Sequence, residues 1–189
     1  MPPKKKFTRA QIIDAAFDIA KTEGIESISI RKVASHLGSS IAPIYVNFDT
    51  VEELIQEVVK KTHDISSKLL NEQNTGNPFL DIGMASLRFA KEYSILFRDL
   101  IMKPNQHIQE LNQEMGKDLV EAMKKDPDLE GLSEDELSTI LLKMRIFQTG
   151  LSVMVANGIF PKDVTDEQIV HLLMETGSDI VFSAKNKNK

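Results

Sequence analysis

The sequence predicts an all-α protein of about nine helices, three in a small N-terminal domain and the rest in a larger C-terminal one. Three observations predict it. Apolar residues recur at spacings of three and four along most of the chain, the period of one helix face. Thr8–Gln11, Thr50–Glu53, Ser133–Glu136 and Thr165–Gln168 each have capping-box spacing, which places helix starts. No alternating strand pattern runs beyond a few residues, and no internal repeat is present.

Taken in order, residues 1–7 are rich in Pro and Lys and are expected to order only against something anionic. Helix one spans 8–23, with Ile12, Ala15, Ala16, Ile19 and Ala20 on one face, and Gly24 stops it. Helix two covers 30–37 and ends at Gly38; helix three covers 40–46, with Ser40 as its cap and Pro43 in its first turn, where a missing N–H breaks no internal bond. Phe17, Ile19, Ile28, Val33, Leu37, Ile44 and Phe48 enclose a core too small to stand alone, so it should lean on the next helix, 50–70. A polar loop holding Gly76 follows, and Asn77-Pro78 reads as a cap with proline at the first helical position. Further helices are expected over 77–93, through Met102, over 106–125, over 133–157 and over 165–184, with a polar tail from Lys185. The domain boundary is placed between 49 and 50, giving 1–49 and 50–189.

The 189 residues hold 41% hydrophobic and 27% charged side chains, the balance of a packed, soluble protein. There is no cysteine, which excludes disulfides and thiolate metal sites. No uninterrupted apolar run approaches ~18 residues, so no membrane span is expected. Lys4, Lys5 and Lys6 precede no apolar segment, so the N-terminus does not read as a secretory signal, and the expected location is cytoplasmic. The net charge is −5, but residues 1–48 carry +3, leaving −8 for the remainder. A basic module on an acidic body fits a protein that meets phosphates at one end.

Two short helices joined at Gly38 form a helix-turn-helix, whose second helix commonly enters the major groove of DNA. Gly24, Ser29-Ile30-Arg31, Val33-Ala34, Gly38, Ser40 and Ile44-Tyr45-Val46-Asn47-Phe48 resemble the DNA-binding domain of the tetracycline-repressor (TetR) family. The resemblance covers roughly the first quarter of the chain, with many positions agreeing in register. The sequence departs from the family pattern at Ser39, at Ala42-Pro43, at Asn47 and at Asp49-Thr50-Val51. The last departure puts an acid where many relatives have a lysine facing phosphates. The resemblance implies a homodimeric bacterial regulator, with a small-molecule effector bound in the larger domain.

Within the motif the candidate DNA-binding residues are Lys5, Lys6, Arg31, Ser39, Ser40, Ile41, Pro43, Tyr45 and Asn47. Ile44 and Phe48, four apart, point inward and leave Ile41, Tyr45 and Asn47 outward. Tyr45 and Asn47 suit phosphates or base edges. Ile41, Ala42 and Pro43 can read only thymine methyls or groove shape. Ser39 and Ser40 suit phosphate binding, and Arg31 with Lys32 begins helix two where the backbone would cross. Lys5 and Lys6, with Lys4, either reach DNA as an arm or form a solvated tail.

The larger domain offers a pocket rather than a reaction. Its candidate lining is Met84, Leu87, Arg88, Phe97, Met102, Met144, Phe147 and Gln148, with Tyr93, His107, Met115 and Met154 nearby; ordinary core is the other reading of the apolar members. The last two helices are apolar over faces wider than a monomer's surface helix needs. They either fill an internal core or pack as a four-helix bundle across a two-fold axis, with Gly150 and Gly177 allowing close approach. His36, His63, His107 and His171 are scattered, and no phosphate loop, cofactor motif or nucleophile elbow is present, so no enzyme, cofactor or metal is expected. The chain reads as a repressor of double-stranded operator DNA. The alternative is an all-helical ligand-binding or adaptor protein without specific operator binding.

Overall fold

The computed structural model describes residues 7–102, 116, 117, 119–121, 123–161 and 163–186, with Pro78 and Met102 described by backbone alone. Among these residues the α-helices, numbered in chain order, are α1 (Arg9–Glu23), α2 (Ile30–His36), α3 (Ala42–Tyr45), α4 (Val51–Asn71), α5 (Pro78–Glu92), α6 (Ser94–Phe97), α7 (Glu134–Ala156) and α8 (Asp166–Asn186). Short 3-10 turns at Ile25–Ser27 and Pro127–Leu129 and a π-helical turn at Arg98–Met102 complete them, and no strand occurs among the described residues. The protein is all-α, as the sequence predicts. Most of the helix expected over 106–125 lies outside the described residues; its end is helical, with Val120 and Met123 buried.

The caps account for the helix starts. At Thr8 and Ser133 the hydroxyl accepts the N–H three residues on while the Gln11 or Glu136 side chain accepts the cap's own N–H. Thr165 and Gln168 exchange the same pair of bonds, at 2.8 and 3.2 Å. At Thr50 the box is altered: Glu53 N–H donates to the hydroxyl, but the Glu53 carboxylate accepts from Asp49 N–H. Asn77 Oδ1 accepts from the N–H groups of Phe79 and Leu80 at the start of α5. Ser40 does not cap α3. That helix begins later, at Ala42, behind Ile41 in a helical conformation with no side-chain cap. Ahead of it, the Gly38 N–H and the Ser39 N–H close the turn on the Ser35 and Ala34 carbonyls.

The chain packs as two compact units. The first comprises residues up to Lys68 together with the segment from Tyr93, and the second comprises Leu69–Glu92 and the chain beyond residue 108. In the first, Ile12, Ala16, Val33, Ile44 and Phe48 form the core, which Leu54 and Val58 of α4 complete. Leu37 is only half-buried. Helix α6 and the π turn belong to this unit: Tyr93 packs against Phe17, Lys21 lies 4.8 Å over the Tyr93 ring, and Leu96 is buried.

The second unit is built on α5, α7 and α8. Leu137, Ile140, Leu141 and Met144 of α7 bury against Val120, Met123 and Leu129, with Phe79, Ile180 and Val181 packed alongside. Leu87, Leu151, Ile169 and Leu173 form a second cluster with Leu80 and Phe147. Gly177 lies against Met144 of the same chain, whose Cε is 3.3 Å from where a Cβ would sit, whereas Gly150 faces open space. Helix α7 departs from expectation in one respect. Its 23 residues have a mean hydropathy of 1.3 over an 18-residue window, long and apolar enough to cross a membrane by length and composition. Lys143 and Arg145 interrupt the run, so a search for unbroken apolar stretches misses it. Its apolar residues divide between the buried face above and an outer face carrying Leu142 and Ile146.

Candidate nucleic-acid interface

The turn between α2 and α3 sets the geometry of the candidate surface. Ser29 Oγ accepts the Lys32 N–H at the start of α2, and Gly38, at φ 61°, lets the chain reverse after it. Ile44 and Phe48 then anchor α3 on the core. The opposite side of the helix is open: Ile41, Tyr45 and Val46 are 44, 52 and 59% exposed, and Ala42 is exposed beside them. These four stand in two i, i+4 pairs, 41 with 45 and 42 with 46, and so share one face.

The polar residues of the motif behave less uniformly. Arg31 and Ser40 are exposed, as Asp49 is. Pro43 is half-buried. Asn47 is half-buried, and its Nδ2 donates to the Pro43 carbonyl at 2.8 Å, tying the amide to its own helix instead of extending it outward. The Ser39 hydroxyl is covered, with no hydrogen-bond partner among the described residues. Lys32 pairs with Glu23, and His36 Nε2 lies 3.8 Å from Asp18. Lys5 and Lys6 lie outside the described residues. Val46 is the member of the exposed face that the sequence reading leaves out. The i+4 step from Ala42 was the signal for Val46.

Beneath this face a clamp fixes the end of α3. Arg9 Nη1 donates to the Asn47 carbonyl at 2.7 Å, and Nη2 donates to Glu53 Oε1 at 2.8 Å and Glu57 Oε1 at 3.0 Å. The guanidinium carbon sits 4.1 Å from the centroid of the Phe48 ring. The hydrogen bond from Arg9, and then the one from Asp49 N–H, hold the Glu53 carboxyl below the usual glutamate range. The bonds to Glu53 and Glu57 in turn raise the Arg9 guanidinium above its ordinary value.

The expected pocket residues that are described fall in different places. Phe97 is buried in the first unit, because the chain returns there after α5. Arg88 is exposed, its Nε on Glu92 and its Nη1 on Glu72. Leu87 and Phe147 belong to the second apolar cluster, and Met84 and Gln148 are half-buried. The Met102 side chain, His107 and Met115 lie outside the described residues. Among the described residues of the expected set, Met144 lines a cleft of about 490 Å³ in the second unit, together with Phe79, Leu80, Leu129, Leu173 and Val181 and with Asp126, Asp128 and Lys185.

Residues 12–58 match the sequence pattern of bacterial regulatory proteins of the tetR family. Over 48 residues the chain is 42% identical to the HTH-type nicotine-responsive transcriptional repressor HdnoR of Paenarthrobacter nicotinovorans, an alignment that spans 25% of each protein. The fold is similar over nearly the whole length to solved structures of low identity. A transcriptional regulator from Rhodococcus sp. Rha1 is 18% identical with a TM-score of 0.70, over 94% of this chain and 97% of that one. A putative TetR-family regulator from Vibrio parahaemolyticus, also 18% identical, gives 0.65 over 94% and 98%. The match to the tetR family of bacterial regulatory proteins thus lies in the N-terminal helix-turn-helix segment, residues 12–58.

Proposed function

We propose that the protein is a cytoplasmic, homodimeric transcriptional repressor that leaves a pseudo-palindromic operator when a small-molecule effector binds. The observation that carries this reading is the coincidence of the tetR-family match, residues 12–58, with a helix-turn-helix whose second helix has one face anchored and the other open. In this reading residues 1–49 are the reading head, and 50–189 bind effector and dimerise. Arg31, Ser40, Ile41, Pro43 and Tyr45 meet the DNA, Lys5 and Lys6 strengthen the contact from the N-terminus, and Ser39 and Asn47 shape the turn and the helix end. Helices α7 and α8 supply the two-fold contact, supported by the exposed Leu142, Ile146, Leu172 and Phe182. The 490 Å³ cleft, within the usual size range of ligand sites, is the candidate effector site. Effector and operator then oppose one another by linkage, each lowering the affinity of the other by the same factor. No chemical step is assigned to the chain.

Selection of bound duplexes from a random pool, followed by titration of the winner at several salt concentrations, tests the reading. We expect a two-fold symmetric site and a log–log salt slope of roughly −5 to −9, the range for about 6–10 neutralised phosphates. Failure to enrich any sequence would overturn it in favour of an adaptor without operator binding, to which the exposed Asp49 would then point.

A further inference from the structure

We propose that the outer face of α3 reads thymine C5-methyl groups, so that the half-site is specified by where thymines stand. The inference rests on the operator-binding reading above and adds what the head recognises. Across Ile41, Ala42, Tyr45 and Val46 the face carries one polar side-chain group, the Tyr45 hydroxyl. Three apolar side chains and an aromatic ring at 44–59% exposure for the large members are costly to leave in water on a helix whose other side is already buried. The amide best suited to adenine, that of Asn47, is committed to the Pro43 carbonyl, and the Ser39 hydroxyl is covered. No guanidinium stands on α3 to make a bidentate contact with guanine; Arg31 and Lys32 belong to α2, and Lys32 is paired with Glu23.

In the major groove the C5-methyl is the apolar group a base pair presents, and thymine carries it. An isoleucine and a valine at i, i+5 with a tyrosine ring between them form a continuous apolar strip that can lie against successive methyls. Such contact removes apolar surface from water on both partners and needs no hydrogen-bond alignment. Sequence reading by this head is therefore a matter of methyl positions, with phosphate contacts setting its register.

The test uses the operator recovered by selection and the full-length protein. Each thymidine in a half-site is replaced in turn by deoxyuridine, which deletes the methyl and keeps every hydrogen-bonding group. We expect two or more positions at which affinity falls about fourfold per methyl, the factor set by the transfer of one buried methylene. At those positions a C·G pair should bind weakly and 5-methylcytosine should recover part of the loss. In Ile41→Ser or Val46→Ser protein, both changes on an exposed face, the uridine penalty should vanish at the position each residue covers. A selected operator that tolerates uridine at every position overturns this inference and leaves the repressor reading standing. Enrichment of no sequence removes both.

Discussion

Arg9 sits where the N-terminal end of α1, the C-terminal end of α3 and the first turns of α4 meet. Its five N–H donors lie in a planar fork, so one side chain can hold a backbone carbonyl and two carboxylates at once while its face rests on Phe48. A lysine cannot make that set of contacts. With its charge met by Glu53 and Glu57, Arg9 is a positioning residue for α3. Arg9→Met should weaken operator binding about tenfold while leaving the salt slope unchanged, because no phosphate contact is lost. A slope shallower by about one would make Arg9 a phosphate ligand instead. The clamp also has a pH signature. Glu53 is held below the usual glutamate range, so its stabilising contribution is present above the ordinary value of 4.5 and is lost as pH falls through the lower folded-state value. At this scale the sequence is only partly legible. The exposure of Ile41 and Tyr45 follows from helical period alone, but the tying of the Asn47 amide and the covering of the Ser39 hydroxyl depend on turn geometry that side-chain type does not reveal.

Among the elements, the π turn at Arg98–Met102 is the least expected from sequence and the most specifically attached. Asp99 Oδ2 accepts the Ile25 N–H at 2.8 Å, capping the 3-10 turn after α1 across 74 positions of sequence. Gly24 makes the approach possible: at φ 95° and ψ 160° it occupies a region other residues avoid, and a Cβ there would stand 2.6 Å from Asp99 Oδ2. Asp99→Ala should therefore destabilise the N-terminal unit by about 1–3 kcal/mol, the cost of leaving a half-buried N–H without its charged acceptor. Denaturant titration gives the magnitude, and hydrogen exchange at Ile25 locates it; an Ile25 amide as protected as before would mean the bond contributes nothing. Helix starts were readable because capping residues act locally: four boxes and the Asn77 cap all lie at helix N-termini, with only the Thr50 box rewired to Asp49. The return of residues 93–102 to the first unit was not readable. Apolar spacing says that Leu96 and Phe97 are buried, but not against which partner, and so it groups Phe97 with the larger domain, whereas Phe97 is buried within the first unit.

For the whole molecule, the proposed two-fold contact turns on the outer faces of α7 and α8. A protein of this length has enough interior to bury its large apolar residues, yet Leu142, Ile146 and Phe182 stand 58, 66 and 71% exposed. The inner face of α7 is already packed in the core of the second unit, and among the described residues nothing buries the side chains of Leu142 and Ile146. A second copy would cover them by symmetry: each protomer presents the same strip, and one contact covers both. It also fits the proposed operator, since two reading heads on a two-fold axis match two half-sites. Ile146→Glu would place a carboxylate in that contact twice per dimer. Each buried, unpartnered charge costs about 3 kcal/mol or more, so the pair should raise dimer dissociation on the order of ten-thousandfold. Because Ile146 is exposed in the single chain, the helicity of the protomer should be unchanged. Sedimentation equilibrium across a concentration series reads the assembly, and operator titration on the same samples reads the consequence: affinity should fall together with the dimer fraction. A dimer as tight as before would move the two-fold contact off α7, and full operator affinity in a protein shown to be monomeric would separate DNA reading from dimerisation altogether.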